Sequence, residues 1–458
     1  MSVCLIVLLI VPAVFAATVV TALTACPRLA AAYRFHLLTK DDEPPGLPPR
    51  RLPDHDIHGN LLEALFAHES ASHRGRTHAR RAILYFHRPA DEHQENIDTD
   101  HPRYAESSRA TYRALAVPRE DVDAMARRSV RLVLDDAWPA GSTSRVLRLM
   151  DLAVPMSARL MFELAFKSTP TREQIALICR SARDSMRSSK GLRHARTIEV
   201  RLRLLNAVRA EVRDRDGCPE VFGRDSTLDT MSRAKHLQGV FFHTGVIQLS
   251  ESVCHTVLAA SAHPHAVERI IRDDPRYLDD VLTEALRLYP LHATIQRLVV
   301  DDIPLSPTVT VPRGTQLLFD IGRHQRMGHP EADAFMPERW QQRDRPGTGF
   351  VGFGQGRRKC PAERFARTAA AAIVRELLTI YAVYAPVRHT RALEGGGLCC
   401  LTVRGRRAPT GVKLLVRTRD HAERIGFSAA QLICLPLTGR AVRHLQHPTQ
   451  AVPPSTSG

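Results

Sequence analysis

The stretch Phe353-Gly354-Gln355-Gly356-Arg357-Arg358-Lys359-Cys360-Pro361-Ala362 sets a single thiol behind a glycine-punctuated basic loop and directly ahead of a helical pattern. Gly354 and Gly356 permit a tight backbone course that a residue with a Cβ resists, and Pro361 suits the first position of a helix. Cys360 is thus expected at a helix N-terminus, where aligned peptide dipoles and free N–H groups stabilise negative sulfur. A thiol so placed is suited to ligate a metal. The competing reading is a surface turn with an incidental cysteine.

Two stretches upstream bear on that choice. Leu282-Thr283-Glu284-Ala285-Leu286-Arg287-Leu288-Tyr289-Pro290 carries Glu284 and Arg287 three apart on a helical pattern, hence on one face. Such a pair is common on exposed helices and says little alone. It is followed by Phe335-Met336-Pro337-Glu338-Arg339-Trp340 and then by the cysteine loop.

In this order the three segments resemble the cytochrome P-450 superfamily. The pattern of its heme-binding loop is Phe, two residues, Gly, one residue, Arg, one residue, Cys, and Phe353, Gly356, Arg358 and Cys360 match it. The resemblance implies a mainly α fold with a small β portion. It implies heme b (iron protoporphyrin IX) ligated by Cys360, with Arg358 and Arg297 pairing with the propionates, Phe353 against the sulfur side, and Gly354 and Gly356 shaping the loop. Glu284, Arg287 and Arg339 would form a structural triad behind it. A thiolate ligand favours O–O cleavage, so the family implies oxygen activation on a hydrophobic small molecule, plausibly in specialised metabolism.

The helix expected to cross the oxygen-binding face departs from the family pattern. Over residues 237–252, aligned on His263-Pro264, the usual glycine falls on Gly245, the acid on Ile247 and the alcohol on Gln248. Ile247 cannot carry a proton, and Gln248 hydrogen-bonds in both senses without titrating. Several readings stay open. Glu251 and Ser252, one turn on, or His243 could substitute, or a substrate group could complete the proton relay. The enzyme could instead act without oxygen on a preactivated N–O or O–O substrate, by nitrene-type C–N bond formation or rearrangement. A heme-binding sensor without turnover and a register shifted by a residue or two are the others. Gly245, Gln248, Glu251 and Cys360 are the candidate catalytic positions.

The chain opens with uncharged residues from Val3 to Ala25. That length suffices to span a hydrocarbon core of roughly 30 Å as a helix. Residues 1–27 are therefore expected as a transmembrane anchor, with a cleaved signal as the rival reading. The proline-rich stretch within 28–56 reads as a stiff linker, 57–417 as the catalytic domain, and 418–458 as a partly disordered C-terminal extension. Basic residues from Arg28 onward put the catalytic domain on the cytoplasmic side.

The 458 residues, 44% of them hydrophobic, can bury a large core. Nine cysteines without paired spacing fit a reducing compartment, and the histidines of the first half show no regular metal spacing. Arg109 and Arg113 are the candidates for a further propionate contact there. The net charge is +16. Arg357, Lys359, Arg364 and Arg367 form a basic face beside the thiol that would attract an acidic ferredoxin or flavodoxin-type electron donor. No basic patch is interleaved with aromatics, so no nucleic-acid partner is expected. Helices are expected over 145–166, 195–212 and 361–384, and closing strands over 398–416.

Overall fold

The computed structural model describes residues 25–26, 29–30, 32, 50–52, 61–74, 97–138, 141–189, 197–272, 274–341, 349–385 and 397–446. Nearly all of the expected anchor and of the linker, and the C-terminal tail from 447, lie outside the described residues. Among those described, no helix is long and apolar enough to cross a membrane.

Helices dominate. Among the described residues the longer ones are α1 (Leu61–Ala67), α2 (Tyr104–Leu115), α3 (Arg119–Ala137), α4 (Met150–Phe166), α5 (Arg172–Ser189), α6 (Thr197–Asp214), α7 (Thr230–Leu237), α8 (Val246–Ser261), α9 (Pro264–Ile271), α10 (Pro275–Leu288), α11 (Glu363–Ile380) and α12 (Val412–Gln446). Local chemistry starts several of them. Pro275 opens α10, and Asp274 caps it by accepting the Tyr277 N–H at 2.9 Å. The centre of the molecule is α8, whose Val246, Val253, Cys254, Val257 and Ala260 are fully buried against α4, α10 and α11. A helix apolar on nearly all sides belongs in a core, and α4, buried from Leu152 to Phe166 on most positions, is its other half.

Three small sheets flank the helices. The first has the order β1 (Arg50–Leu52), β7 (Gln316–Asp320), β4 (Thr294–Leu298), β2 (His73–Arg74), with only the β1–β7 pair parallel. The second joins β3 (Ser144–Arg148), β9 (Leu398–Val403) and β8 (Tyr381–Tyr384), and β5 (Ile303–Ser306) with β6 (Val309–Val311) makes a hairpin.

Three expected boundaries are corrected here. Residues 145–148 are a strand, because Val146 and Leu147 pair with Cys400 and Cys399 of β9. The aromatic and β-branched run Tyr381-Ala382-Val383-Tyr384 leaves α11 to pair with β9 from the other side. Residues 412–416 open α12 instead of closing a sheet: Val412 and Val416, one turn apart, bury themselves on Leu398 and Cys400. Each such burial contributes about 1.5–3 kcal/mol. The 417/418 boundary therefore falls inside one continuous helix.

Between α7 and α8 the chain stays helical but is wound as a π-helix over Gln238–Gly245. Its wide turn is held by buried polar contacts: Gln238 Nε2 donates to the Arg201 carbonyl at 2.7 Å, and His243 Nε2 lies 2.8 Å from Ser181 Oγ on α5. A Cβ at Gly245 would sit 3.0 Å from Met161 Sδ and 3.1 Å from the Val240 carbonyl, so the close approach to α4 favours glycine there.

Candidate active site

The cysteine loop takes its shape from its glycines. Gly354 and Gly356 have φ of +71° and +61°, a region costly for other residues. The Cys360 amide donates to the Phe353 carbonyl at 2.7 Å, which folds the loop back on itself. A Cβ on Gly356 would lie 2.4 Å from the carbonyl oxygen of Ala67 and 2.9 Å from its Cα, so the loop rests directly on the end of α1. From α2, the Tyr104 hydroxyl donates to the Arg357 carbonyl at 2.9 Å. Cys360 is half-buried just ahead of α11, which starts two residues beyond Pro361.

Behind the loop, Glu284 and Arg287 are wholly buried. Glu284 Oε1 accepts from Arg287, from Arg339 Nε at 3.0 Å and from the Met336 amide at 3.0 Å. Its Oε2 accepts from Arg287 Nε at 2.8 Å and Trp340 Nε1 at 2.9 Å. Burial alone would raise the Glu284 pKa. The hydrogen bonds from Arg287 and the Met336 amide, with the charges of Arg287 and Arg339, outweigh it and hold the carboxyl below its usual range. Arg287 also donates to the carbonyls of Gln325 and Ala332, and Gln325 Oε1 accepts the Val351 amide at 3.2 Å. The network thus runs from α10 to Val351, two residues ahead of the cysteine loop.

One cavity of about 370 Å³ gathers the remaining groups. The loop contributes Phe353, Gly354, Arg358 and Cys360, and the π-helix with α8 contributes Thr244, Gly245, Gln248, Leu249 and Ser252. Arg297 on β4 and Arg74 on β2 also line it, and they stand directly opposite each other in the strand pair. Two guanidiniums on one wall are suited to an anionic ligand. Arg358, the third guanidinium, is oriented by donating to the carbonyls of Ser72 at 2.9 Å and Ile97 at 2.8 Å. A soft sulfur, three guanidiniums suited to carboxylates, and apolar walls such as Phe66, Leu115 and Phe353 are a donor set that fits a heme.

The distal wall of the cavity carries two of the candidate positions. Gly245 and Gln248 line the cavity, while the partly buried Ile247 packs against the core and does not line it. Of the proposed substitutes, Ser252 lines the cavity, with its hydroxyl donating back to the Gln248 carbonyl at 2.8 Å. Glu251 is buried and does not line it, because it sits about a third of a turn round α8, and His243 turns instead to Ser181. The amide of Gln248 meets an unforeseen partner: Nε2 lies 2.9 Å from His292 Nε2, and His292 lines the same cavity.

Arg109 and Arg113 are exposed on the outer face of α2, whose Thr111 and Leu115 face the cavity instead. On the other side of the loop Arg357, Lys359 and Arg364 are exposed, whereas Arg367 is held by Asp279 at 2.9 Å and lies over the Phe353 ring. Arg119, Arg276 and Arg364 line an adjoining groove of about 430 Å³.

The Cytochrome P-450 family model matches residues 271–397, which span α10, the triad and the cysteine loop. Pentalenene oxygenase of Streptomyces avermitilis is 36% identical over 111 residues, covering 23% of this chain and 24% of that protein. Cytochrome P-450 3A12 of Canis lupus familiaris is 36% identical over 96 residues (20% of this chain, 19% of that one), and cytochrome P-450 monooxygenase apdE of Emericella nidulans is 34% identical over 118 (23% and 22%). The chain thus spans about a quarter or less of the length of these curated relatives. A six-coordinated cytochrome P-450 from Thermus thermophilus shares the fold, with a TM-score of 0.57 at 18% identity, over 78% of this chain and 100% of that one. Over residues 271–397 the chain thus matches the Cytochrome P-450 family model, and its fold is similar to that of a solved cytochrome P-450.

Proposed function

We propose that the chain is a heme-thiolate oxidoreductase acting on a hydrophobic small molecule in specialised metabolism, with heme b ligated by Cys360. The observation that carries this reading is the single cavity that joins Cys360 to three arginines and to the α8 wall. Arg74, Arg297 and Arg358 would hold the propionates, and Phe353, Gly354 and Gly356 would shape the sulfur side. When bound, the heme supplies electron transfer and oxygen activation. The chain's own part is to hold the sulfur, exclude water with apolar walls, and present Gln248 and Ser252 to the reacting face. The relatives named pentalenene oxygenase and monooxygenase apdE support oxygen-dependent chemistry.

A second reading has one observation in its favour. With Ile247 packed against the core and Gln248 on the wall, α8 presents no acid to the cavity, which suits an oxygen-independent reaction of a preactivated N–O or O–O substrate. An acidic ferredoxin or flavodoxin-type donor would dock on Arg357, Lys359, Arg364 and the groove beside them. Residues 1–27 would tether the domain to the membrane from its cytoplasmic side.

The test is the carbon monoxide spectrum of reduced, hemin-loaded protein. A Soret band displaced to the red, lost in Cys360→Ser, is expected; its absence in the intact protein overturns the assignment. Product formation from the same substrate with and without oxygen separates the two readings.

A further inference from the structure

We infer that His292 and Gln248 form the proton-carrying pair of this cavity, in place of an acid and an alcohol on one helix. The inference rests on the heme-thiolate reading above. His292 lies in the connector between α10 and β4, and Gln248 on α8, so the pair joins two elements 44 residues apart in sequence.

The charged and titratable side chains lining the cavity are Arg74 of β2, Arg297 of β4, Arg358, Lys359 and Cys360 of the loop, and His292. Among the described residues α8 and α10 contribute none, and no carboxylate lines it. The nearby His255 stacks on Tyr289 and is buried away from the cavity. Guanidinium and ammonium groups do not give up protons near neutral pH, and Cys360 is committed to the metal. Histidine is the residue type that exchanges protons in that range. His292 is also exposed, which gives its ring a route to bulk water.

The contact is between two nitrogens, Gln248 Nε2 and His292 Nε2, at 2.9 Å. In this arrangement the amide N–H donates to an unprotonated ring nitrogen. When His292 gains a proton at Nε2, the same contact requires the Gln248 carbonyl to face it, and the amide N–H turns elsewhere. Gain and loss of one proton therefore reverse what Gln248 offers to the cavity. In a cycle His292 gives its Nε2 proton to a reacting atom in the cavity and recovers one from solvent, and Gln248 positions the ring without titrating.

The test uses full-length, hemin-loaded protein, reduced under carbon monoxide, with the C–O stretching band followed between about pH 5 and 8. Two bands that exchange with pH are expected, reporting the two orientations of Gln248. His292→Phe and His292→Gln should each leave one pH-invariant band, and Gln248→Leu should shift the band while His292 still titrates. Product per electron should fall about 10²-fold in His292→Phe, within the range of a lost general acid. A pH-invariant band in the unmodified protein, or exchange that persists in His292→Phe, overturns the inference although the red-displaced Soret band is present. Absence of that Soret band refutes the heme-thiolate reading and takes this inference with it.

Discussion

Replacing Glu284 by Gln should weaken the whole framework of the cysteine loop. The carboxylate is wholly buried, and its oxygens accept from Arg287, Arg339, Trp340 and the Met336 amide. A glutamine has one carbonyl oxygen and an amide that donates, so one set of N–H groups would meet another donor. Arg287, with no exposed surface, would also lose its counter-charge. Removing one partner of a buried ion pair costs about 3–5 kcal/mol, a large share of a native stability on the order of 5–15 kcal/mol. Urea unfolding suits the measurement, because Trp340 donates to Glu284 Oε2 and only Trp138 competes with it in fluorescence. Glu284→Gln should unfold at markedly lower urea and carry less hemin. Adding Arg339→Gln should cost less in that background than in the parent, since the two share one interaction. A loss below about 1 kcal/mol, or strict additivity, would refute the view that this network is one cooperative unit.

Other outcomes follow from the same geometry. Because the folded-state Glu284 pKa is depressed, its stabilisation is fully present above the unfolded value of about 4.3 and is lost as pH falls through the lower folded value. The stability gap between parent and Glu284→Gln, measured by urea titration at several pH values, should therefore shrink in acid. Gly356→Ala places a Cβ 2.4 Å from the Ala67 carbonyl at φ +61° and should abolish stable hemin retention, read from the pigment remaining after gel filtration. Arg74→Gln should weaken hemin binding and reduce its salt sensitivity, read from hemin titrations of apo-protein at low and high salt.

The cysteine loop was readable because its constraints are local. Glycines that need positive φ, a proline before a helix and a cysteine lie within one decapeptide. Glu284 and Arg287 were readable as helical neighbours, and Arg339 through its place in the motif order. Arg74 and His292 were not, since strand pairing and the return of the chain from α10 bring them to the cavity, and neither has a spacing signal in one dimension. Glu251 misled for the opposite reason: it follows Gln248 by about one turn, yet the lining of α8 runs through Gly245, Gln248 and Ser252 and leaves it aside. The strands over 144–148 and 381–384 were hidden because both depend on β9, remote from β3 in sequence.

The π-wound stretch Gln238–Gly245 absorbs chain length without breaking the long helix. If one residue were deleted within it and the stretch closed to ordinary winding, α8 could keep its seat beside Cys360. Everything ahead of the deletion would then swing by about 100° and retract about 1.5 Å. Gln238 would leave the Arg201 carbonyl and His243 would leave Ser181, so the packing of this stretch against α5 and α6 would be lost. A single indel at the junction of the two windings would therefore re-register the helices ahead of it while Gln248 and Ser252 keep their places on α8.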